Sequence, residues 1–497
     1  MKILSAEQIK AWDQFTIREE PVTSHDLMER TCHAFTHWLF ERYDATHKIG
    51  VICGTGNNGG DGLGIARMLH EWNYPVKVWV VRGGGKESDD FNSNLKKLEG
   101  KITPTEITTL VETNPFSECS LLIDALFGSG LTRPVEGIYA SVIENINRCK
   151  AIRISVDVPS GIRIDQHSEG TIVKAHQTVT FQNPKLAFLM PGNHEFVGDW
   201  HMVDIGLSKK FLKDTDTEYS LTVLKSVKRI LKLRNKFDHK GNYGHALLIA
   251  GSNGKMGACV LAARAALRSG VGLLTTHVPQ RGYSIIQTAV PEAMTTVDTS
   301  PDYFTGREIE EFYDAIGIGP GIGLATESGQ ALEKILASTD KPLVLDADAL
   351  NLMAINPKLL VSVPKGSILT PHPGEFGRLV GSWKHDFEKL EKLKTLSKRL
   401  QSVVLLKGAY TAIASPSGKV AFNATGNPGM ATGGTGDVLT GILTGLLAQG
   451  YPAMEAAILG TYMHGLAGDL AAHEKGINSL IAGDIIEFLP AAFKKIE

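Results

Sequence analysis

The sequence lacks paired cysteines, dense basic clusters and long apolar runs, and each absence excludes a class of protein. The five cysteines are odd in number and scattered without a C-x-x-C pair, so we expect no disulfide framework, no zinc site and a reducing, cytoplasmic location. A formal net charge of -2 gives no electrostatic basis for binding nucleic acid. No run reaches the roughly 18 apolar residues that cross a membrane. We therefore expect neither a nucleic-acid nor a membrane partner.

The chain of 497 residues exceeds what one hydrophobic core usually supports. Its 43% hydrophobic content is ordinary for a folded globular protein. A polar stretch, KKFLKDTDTEYS, separates two halves that share no visible repeat. We predict two different domains, at residues 1–215 and 225–497.

Short apolar runs alternate with helical patterns in both halves, which predicts an α/β fold with parallel sheets covered on both faces. In the first half the predicted strands are 49–53, 76–81, 121–124, 152–157, 179–181 and 202–204, with a helix over 62–72. In the second half they are 246–251, 273–277, 315–319, 343–346, 367–370 and 403–407, with a helix over 257–268 and a hairpin around 416–418.

The segment NPGMATGGTGD, residues 427–437, leads directly into an apolar helical run over 438–448. Its glycines allow backbone N–H groups to converge, and the helix directs the positive end of its dipole to the same place. Such a loop can hold a phosphate that moves between two oxygens. Asp437 is then placed to accept a proton from an attacking hydroxyl. This segment predicts phosphate chemistry.

A second Gly-rich turn, GTGNNGGDG over residues 54–62, follows a predicted strand and precedes a helix, which is the context of phosphate-binding loops. Asp124 and Asp157 end two further strands, at the edge where open α/β sheets bind ligands. A buried acid at a strand end is also often only a cap for the next loop. The oxygens of Asn58, Asp124 and Ser160 could hold a monovalent or hard divalent cation.

The second half adds strand-end motifs: GSNGKMGA, GPGIG, DADAL, TPHPGE and KGAYT. Met256 follows Lys255 where a Walker loop needs Ser or Thr, so that motif is rejected. His372 lies between two prolines beside a predicted helix start, and we predict that it contacts a ligand. DADAL, residues 346–350, is interpreted as the cap of a buried strand.

GTGNNGGDGLGIARML, DALFGSGLTRPVEG, SVDVPSGI and TVTFQNPKLAFLMPG together resemble the NAD(P)H-hydrate epimerase family over most of residues 1–210. The resemblance implies a Rossmann-like three-layer domain. It implies potassium on Asn58, Asp124 and Ser160. It also implies that the hydrated nucleotide contacts Asn57, Asn58, Gly59, Gly60, Asp61, Gly128, Ser129, Gly130, Leu131, Thr132, Arg133, Pro134 and Asp157.

HKGNYGHALLIAGSNGKMGACVLAARAALRSGVGLLTT, GIGPGIG, LDADALN, LTPHPGE, LLKG and NPGMATGGTGDVLTG resemble the ADP/ATP-dependent NAD(P)H-hydrate dehydratase family from about residue 236 to the end. That family implies a ribokinase-like fold with magnesium on the phosphates. It implies that ADP and AMP contact Lys407, Gly408, Ala409, Tyr410, Thr411 and Gly436. The hydrated nucleotide would contact Ala258, Gly321, His372 and Asp437.

The fused order resembles bifunctional repair enzymes that are both isomerase and lyase. The resemblance implies epimerisation of R and S hydrated NADH and NADPH (NADHX and NADPHX) by the first domain. The second domain would dehydrate the S form with ADP as phosphoryl donor. Asp157 and Asp437 are the catalytic candidates, and we expect a homo-oligomer. The alternatives are a ribokinase-like vitamin or sugar-alcohol kinase, or a first half that is a non-catalytic nucleotide-binding module. Neither the preference between NADHX and NADPHX nor ADP over ATP follows from the sequence.

Overall fold

The computed structural model describes residues 1–497 as two compact units. The first unit comprises Lys2–Thr217 with His385–Phe387, and the second comprises Glu218–Lys384 and Glu388–Glu497 together with Met1. The division at residues 217 and 218 falls within the interval left between the two predicted domains. No helix in the structure combines the length and the apolar character needed to cross a membrane. All five cysteines are free and buried.

The first unit alternates strands and helices along the chain. Its elements are β1 (Lys2–Ile3), α1 (Ala6–Glu19), α2 (Ser24–Phe40), β2 (Ile49–Cys53), α3 (Asn57–Glu71), β3 (Val76–Val81), α4 (Asp89–Leu98), β4 (Thr105–Ile107), β5 (Leu121–Ala125), α5 (Gly137–Arg148), β6 (Ile152–Val156), β7 (Gln177–Phe181), α6 (His194–Val197), β8 (Asp199–Val203) and α7 (Lys209–Asp214).

Strands β2 to β8 form one parallel sheet in the order β4-β3-β2-β5-β6-β7-β8. Helices α2, α3 and α4 pack on one face and α5 packs on the other, which gives the predicted three-layer arrangement. The chain runs outward from β2 in one direction and from β5 in the other. The carboxyl ends of these two neighbouring strands therefore form the switch point where such sheets bind ligands.

Helix α3 begins at Asn57, so the prediction that it begins near residue 62 is wrong. A side chain at Gly59 would place its Cβ 1.8 Å from the carbonyl oxygen of Gly54. The first helical turn is thus pressed against the end of β2, and glycine is required for contact rather than for an open loop. Residues 57–61 consequently lie in a helix N-terminus, with free backbone N–H groups.

The second unit continues the alternation and ends in three helices. Its elements are β9 (Tyr219–Leu221), α8 (Leu224–Ile230), β10 (His245–Ile249), α9 (Met256–Arg268), β11 (Leu273–Val278), α10 (Tyr283–Ala289), β12 (Met294–Val297), β13 (Ala315–Ile318), α11 (Thr326–Ser338), β14 (Leu343–Leu345), α12 (Asp348–Ile355), β15 (Ile368–Leu369), α13 (Pro373–Val380), α14 (Asp386–Leu400), β16 (Val403–Leu406), β17 (Thr411–Ala414), β18 (Val420–Asn423), α15 (Thr435–Ala448), α16 (Ala453–Lys475) and α17 (Ala482–Ile496).

The strands of this unit lie in the order β9-β18-β17-β16-β15-β14-β13-β10-β11-β12. Strands β16, β17 and β18 pair antiparallel, which confirms the hairpin predicted around residues 416–418. The other pairs in this order are parallel. The sequence pattern missed β12, a short edge strand, and it missed β9, which overlaps the polar stretch between the two predicted domains.

Helix α15 is buried on all sides and lies unusually close to α9. A Cβ at Gly441 would lie 2.0 Å from the carbonyl oxygen of Ala262, and one at Gly445 would lie 2.1 Å from Ser269 Oγ. Buried alanines on α9, including Ala262 and Ala266, complete this contact. The close approach fixes the N-terminus of α15 relative to β10 and β13, against which α15 also packs.

Replacing Gly441 with alanine should destabilise the protein, because the added methyl group has no space next to a backbone oxygen. Overpacking of this kind costs about 1–3 kcal/mol, so the thermal unfolding midpoint followed by circular dichroism should fall by roughly 5 °C. Gly483→Ala is the matched control. Its Cβ would meet nothing closer than Ile481 Cδ1 at 3.9 Å, and the midpoint should hold or rise slightly. Equal midpoints for the two variants would contradict the proposed contact.

Candidate active sites

The first unit has a cavity of about 990 Å³ at the switch point of its sheet. Residues predicted to bind the nucleotide line it from the start of α3 and from the loop after β5: Asn57, Asn58, Asp61, Gly128, Ser129, Gly130, Leu131, Thr132, Arg133 and Pro134. Gly59, Gly60 and Asp157 are not part of the lining. The sequence missed two further walls, the loop 83–86 after β3 and one side of α1.

Asp157 follows β6 directly and adopts φ of 63°, a left-handed conformation that costs energy for most residues but is tolerated by aspartate and asparagine. Its Oδ1 lies 2.8 Å from Nζ of Lys185 and accepts a hydrogen bond from Thr180 Oγ1 at 3.0 Å. Lys185 is 2% exposed and also donates to the backbone oxygens of Phe181 and Asn183. This buried ion pair fixes the Asp157 side chain.

Asp13 and Asp61 are two carboxylates of the cavity lining. Both interact electrostatically with Asp157, which lies outside that lining. Desolvation, together with the charge of Asp157, raises the pKa of Asp13 to about 7, while Lys185 acts in the opposite direction. Desolvation, then Asp157 and Asp13, raises the pKa of Asp61 well above its ordinary value. The cavity is thus lined by two acids with raised pKa values, Asp13 and Asp61. They lie near a third acid, Asp157, which is paired with the Lys185 ammonium.

The predicted cation ligands lie around residues 127 and 128. Asp124 is buried, and its oxygens accept from Ser160 N at 2.9 Å, Ser160 Oγ at 2.6 Å and Ser155 Oγ at 2.8 Å. Asn58 Oδ1 lies beside Gly128, where a Cβ would approach it to 3.2 Å. Desolvation raises the pKa of Asp124, and no basic side chain pairs with it. A buried carboxylate without a counter-charge, among oxygen donors, fits a hard cation.

In the second unit, Asp437 lies in the first turn of α15 and makes no hydrogen bond or ion pair. The helix starts after Gly434, which has φ of 93° and serves as its N-cap. The first-turn N–H groups of residues 435–437 and the helix dipole therefore form an anion site beside a free carboxylate. The glycine-rich segment thus ends in a helix N-terminus, three residues before the predicted helical run, and its binding of phosphate stays a prediction.

A buried ion pair lies against this helix start. Lys407 Nζ is 2.8 Å from Asp346 Oδ1, and Thr440 Oγ1 donates to Asp346 Oδ2 at 2.7 Å. A Cβ at Gly436 would come within 3.5 Å of Lys407 Nζ. Desolvation, followed by the charge of Asp346, raises the pKa of Asp437 to about 6, and Lys407 partly offsets the shift. Asp346 therefore belongs to the site, beyond the capping role predicted from the sequence.

The residues predicted for the nucleotide substrate lie on neighbouring elements. A Cβ at Gly321 would lie 3.3 Å from Ala258 Cβ, so these two residues face each other. Lys255 Nζ is 3.4 Å from Asp348 Oδ2, which also accepts from Gly323 N at 2.9 Å. Asp348 contributes to the raised pKa of Asp437. Lys255, rejected as a Walker lysine, is thus a cation beside Gly321 and Asp348.

His372 has a structural role in addition to the predicted ligand contact. Its Nδ1 accepts from Gly374 N at 3.0 Å, and Glu375 Oε2 accepts from His372 N at 2.9 Å, which forms a capping box at the start of α13. Half of the His372 side chain is exposed, so its ring remains accessible.

Residues 407–410 form the exposed hairpin loop between β16 and β17, where Thr411 Oγ1 donates to Gly408 O.

Sequence reasoning missed the charged partners of both catalytic candidates, Lys185 and Asp346, and also missed Asp13. Lys185 and Asp346 lie within the motifs TVTFQNPKLAFLMPG and LDADALN. A motif does not indicate which distant residues its side chains contact. Asp13 lies on α1, outside the motifs that predict the first site. A buried lysine within an apolar segment was the one available signal.

The second site combines a helix N-terminus, a lysine and a carboxylate whose pKa lies near neutrality. Such an arrangement can position a phosphoryl group, stabilise its charge and remove a proton from the accepting hydroxyl. The first cavity has space for a nucleotide and is lined by Asp13 and Asp61, two carboxyls whose pKa values are raised. It is suited to proton transfer.

Two family models match the chain in the order of its units. The model described as YjeF-related protein N-terminus matches residues 24–187, and the model described as NAD(P)H-hydrate dehydratase matches residues 246–491. The first match covers the elements that carry the first site except α1, and the second match covers the elements that carry the second site.

Known proteins are similar to the whole chain or to its second unit. The bifunctional NAD(P)H-hydrate repair enzyme Nnr of Moorella thermoacetica is 35% identical over 100% of this chain and 97% of its own length. The ADP/ATP-dependent NAD(P)H-hydrate dehydratase of Bacillus subtilis, co-crystallised with ATP and Mg²⁺, is 34% identical, with a TM-score of 0.50 over 56% of this chain and 99% of that one. A ribokinase-like superfamily protein of Enterococcus faecalis gives 29% identity and a TM-score of 0.51 over 57% of this chain and 98% of that one.

These similarities confirm the ribokinase-like fold of the second unit. Because a relative above 30% identity aligns over both units and their sites, the chain belongs to the family of bifunctional NAD(P)H-hydrate repair enzymes.

Proposed function

We propose that this chain repairs hydrated NADH and NADPH in two steps. The first unit interconverts the R and S epimers, and the second unit dehydrates the S epimer with ADP to give NAD(P)H, AMP and phosphate. The observation that carries the proposal is Asp437, an unpaired carboxylate in the first turn of α15 beside Lys407. The full-length similarity to a repair enzyme supports the pairing of the two activities.

In the dehydration, Asp437 takes the proton of the C6 hydroxyl as the hydroxyl oxygen attacks the terminal phosphorus of ADP. The first-turn N–H groups of α15 and the Lys407 ammonium stabilise the charge on the phosphoryl oxygens. AMP leaves with the electron pair of the broken P–O bond. Loss of phosphate from C6 and of a proton from C5 then restores the reduced nicotinamide.

Magnesium is proposed on the phosphates of the donor, where it would neutralise charge. Asp346 and Glu375 are the buried carboxylates beside Lys407, at 2.8 Å and 4.0 Å from its Nζ. Their oxygens already accept hydrogen bonds from Thr440 and from His372 N. They therefore fit a magnesium ion through its bound waters, which suits an ion that keeps several waters in protein sites.

In the epimerisation, Asp157 transfers a proton at the C6 position of the bound nucleotide. Lys185 holds this carboxylate in place through a contact of 2.8 Å. Potassium is proposed on Asn58, Asp124 and Ser160, where it would compensate the buried charge of Asp124 and attract the phosphates of the substrate. We also propose NADHX and NADPHX as substrates, a homo-oligomeric assembly and a cytoplasmic location.

The proposal is tested by incubating the full chain with chemically hydrated NADH, ADP and magnesium while following the absorbance of regenerated NADH. Turnover that requires ADP and yields AMP and phosphate in equal amounts supports the assignment. No NADH from the S epimer, under conditions in which the chain is folded, contradicts it.

Asp437→Asn should abolish dehydration and leave epimerisation intact, because the amide cannot accept the hydroxyl proton while the first unit is unchanged. We expect the ADP-dependent rate to fall by about 10²–10⁴. Asp340→Asn, an exposed acid of the same unit, is the matched control and should retain the full rate. A variant at position 437 with more than half of the normal turnover would show that another group is the base.

The ADP-dependent kcat/KM should fall as the pH drops through about 6. The pKa of Asp437 is raised to about 6, so the carboxylate is ionised above this pH and protonated, hence unable to accept a proton, below it. Asp348→Asn removes one of the negative charges that raise this pKa, and it should move the acidic limb to lower pH. A profile that stays flat down to pH 5 would rule out this titration.

Asp157→Asn should stop the interconversion of R and S epimers and leave the use of pure S substrate unchanged. Asparagine tolerates the left-handed backbone at this position, so the substitution removes the charge without adding backbone strain. Chromatographic separation of the epimers over time measures the effect, and circular dichroism checks the fold, since Lys185 loses its buried partner. Normal equilibration in this variant, with Asp124→Asn inactive, would exchange the two roles.

A further inference from the structure

Helix α1 brings a carboxylate to the wall of the first cavity. The helix begins at a capping box between Ser5 and Gln8, and its buried side carries Trp12 and Thr16. Asp13 lies on the side that lines the cavity, with the neighbouring positions Ile9 and Lys10. The loops predicted to bind the hydrated nucleotide line the same cavity.

Asp13 differs from Asp157 in its hydrogen bonding. Asp157 is held by Lys185 and Thr180, whereas Asp13 makes no hydrogen bond and no ion pair. A cavity-facing carboxyl without a partner in the protein is free to exchange a proton with a bound molecule. The Asp157 carboxylate is instead fixed by the buried Lys185 ammonium, which lies 2.8 Å from its Oδ1.

The charged groups near Asp13 lie on several elements. Asp61 on α3 and Lys10 on α1 itself line the cavity, while Asp157 after β6 and Lys185 after β7 lie outside the lining and act on Asp13 through their charges. Desolvation and the negative charge of Asp157 raise the pKa of Asp13 to about 7, and Lys185 opposes the shift. Near neutral pH the Asp13 carboxyl is therefore partly protonated, as a proton donor must be, and it acts beside an Asp157 carboxyl that is paired with the Lys185 ammonium.

We propose that Asp13 is a second catalytic residue of the first unit, the acid that protonates the hydroxyl leaving C6 of the hydrated nicotinamide. This inference rests on the proposed epimerisation and adds a residue to it. The motifs that carry the family resemblance do not include this position.

In the proposed step, the proton of Asp13 passes to the C6 hydroxyl and the C6–O bond breaks with its electron pair remaining on oxygen. Water departs, and the lone pair of the ring nitrogen forms a C6=N bond. A water molecule then attacks the other face of C6, and Asp157 takes its proton as the new C6–O bond forms. One water leaves and one enters, and the proton gained by Asp157 returns to Asp13 through solvent. The reverse reaction exchanges the two roles.

The test measures the rate at which pure R substrate becomes S, without ADP, in the full chain and in Asp13→Asn. Removing the donor should slow interconversion by about 10²–10⁴ and leave ADP-dependent dehydration of pure S substrate unchanged. Glu7→Gln is the matched control, because Glu7 is an exposed acid on the same helix and should be dispensable. Asp13→Glu keeps a carboxyl and should recover at least tenfold of the lost rate.

The pH profile separates a proton donor from a charge that only tunes Asp157. A donor must be protonated, so the wild-type rate should fall as the pH rises through about 7, and the residual rate of Asp13→Asn should lack this limb. If Asp13 only tuned Asp157, the neutral variant would stay fast. An Asp13→Asn enzyme with the wild-type rate and limb overturns the proposal, as does Asp13→Glu that is no faster than Asp13→Asn. A wild-type chain that fails to interconvert the epimers instead overturns the epimerase assignment itself.

Discussion

Both sites depend on helices that start directly above the end of a parallel strand, and glycine makes that closeness possible. In the first unit the initial turn of α3 lies against the backbone of Gly54. In the second, the body of α15 lies against the backbone of α9 through Gly441. A side chain at Gly59 would push α3 away from the end of β2, and a side chain at Gly441 would push α15 away from α9. The free N–H groups at the start of either helix would then no longer face the ligand site.

Each site combines a lysine with more than one carboxylate, but the two lysines pair with carboxylates that have different roles. In the first unit Lys185 pairs with the proposed proton carrier, Asp157, at 2.8 Å. In the second unit Lys407 pairs with Asp346, also at 2.8 Å, and Asp437 is left unpaired. In the first arrangement the ammonium fixes the proposed proton carrier, while the second leaves an unpaired base whose pKa is raised to about 6. The two sites therefore differ in which acid is paired with the ammonium.

The buried strands were predictable because parallel strands covered on both faces read as continuous apolar runs. Observed β2 and β3 match the predicted bounds, and most others differ by one or two residues. The start of α3 was not predictable, since glycines that permit close packing look the same as glycines that form a loop. The pairs Asp157 with Lys185 and Asp346 with Lys407 join distant positions. They follow from tertiary packing, which a single sequence does not record.

The burial of all five thiols has a consequence for reactivity. Desolvation raises the pKa of Cys32, Cys53, Cys119 and Cys259, so these sulfurs remain protonated at neutral pH and are poor nucleophiles. Peroxide and alkylating reagents can reach them only when the surrounding structure opens. Four of the five lie in the first unit and Cys259 lies in the second. The native cysteines are therefore built-in probes of local opening, and their modification rates would report on each unit separately in a single sample.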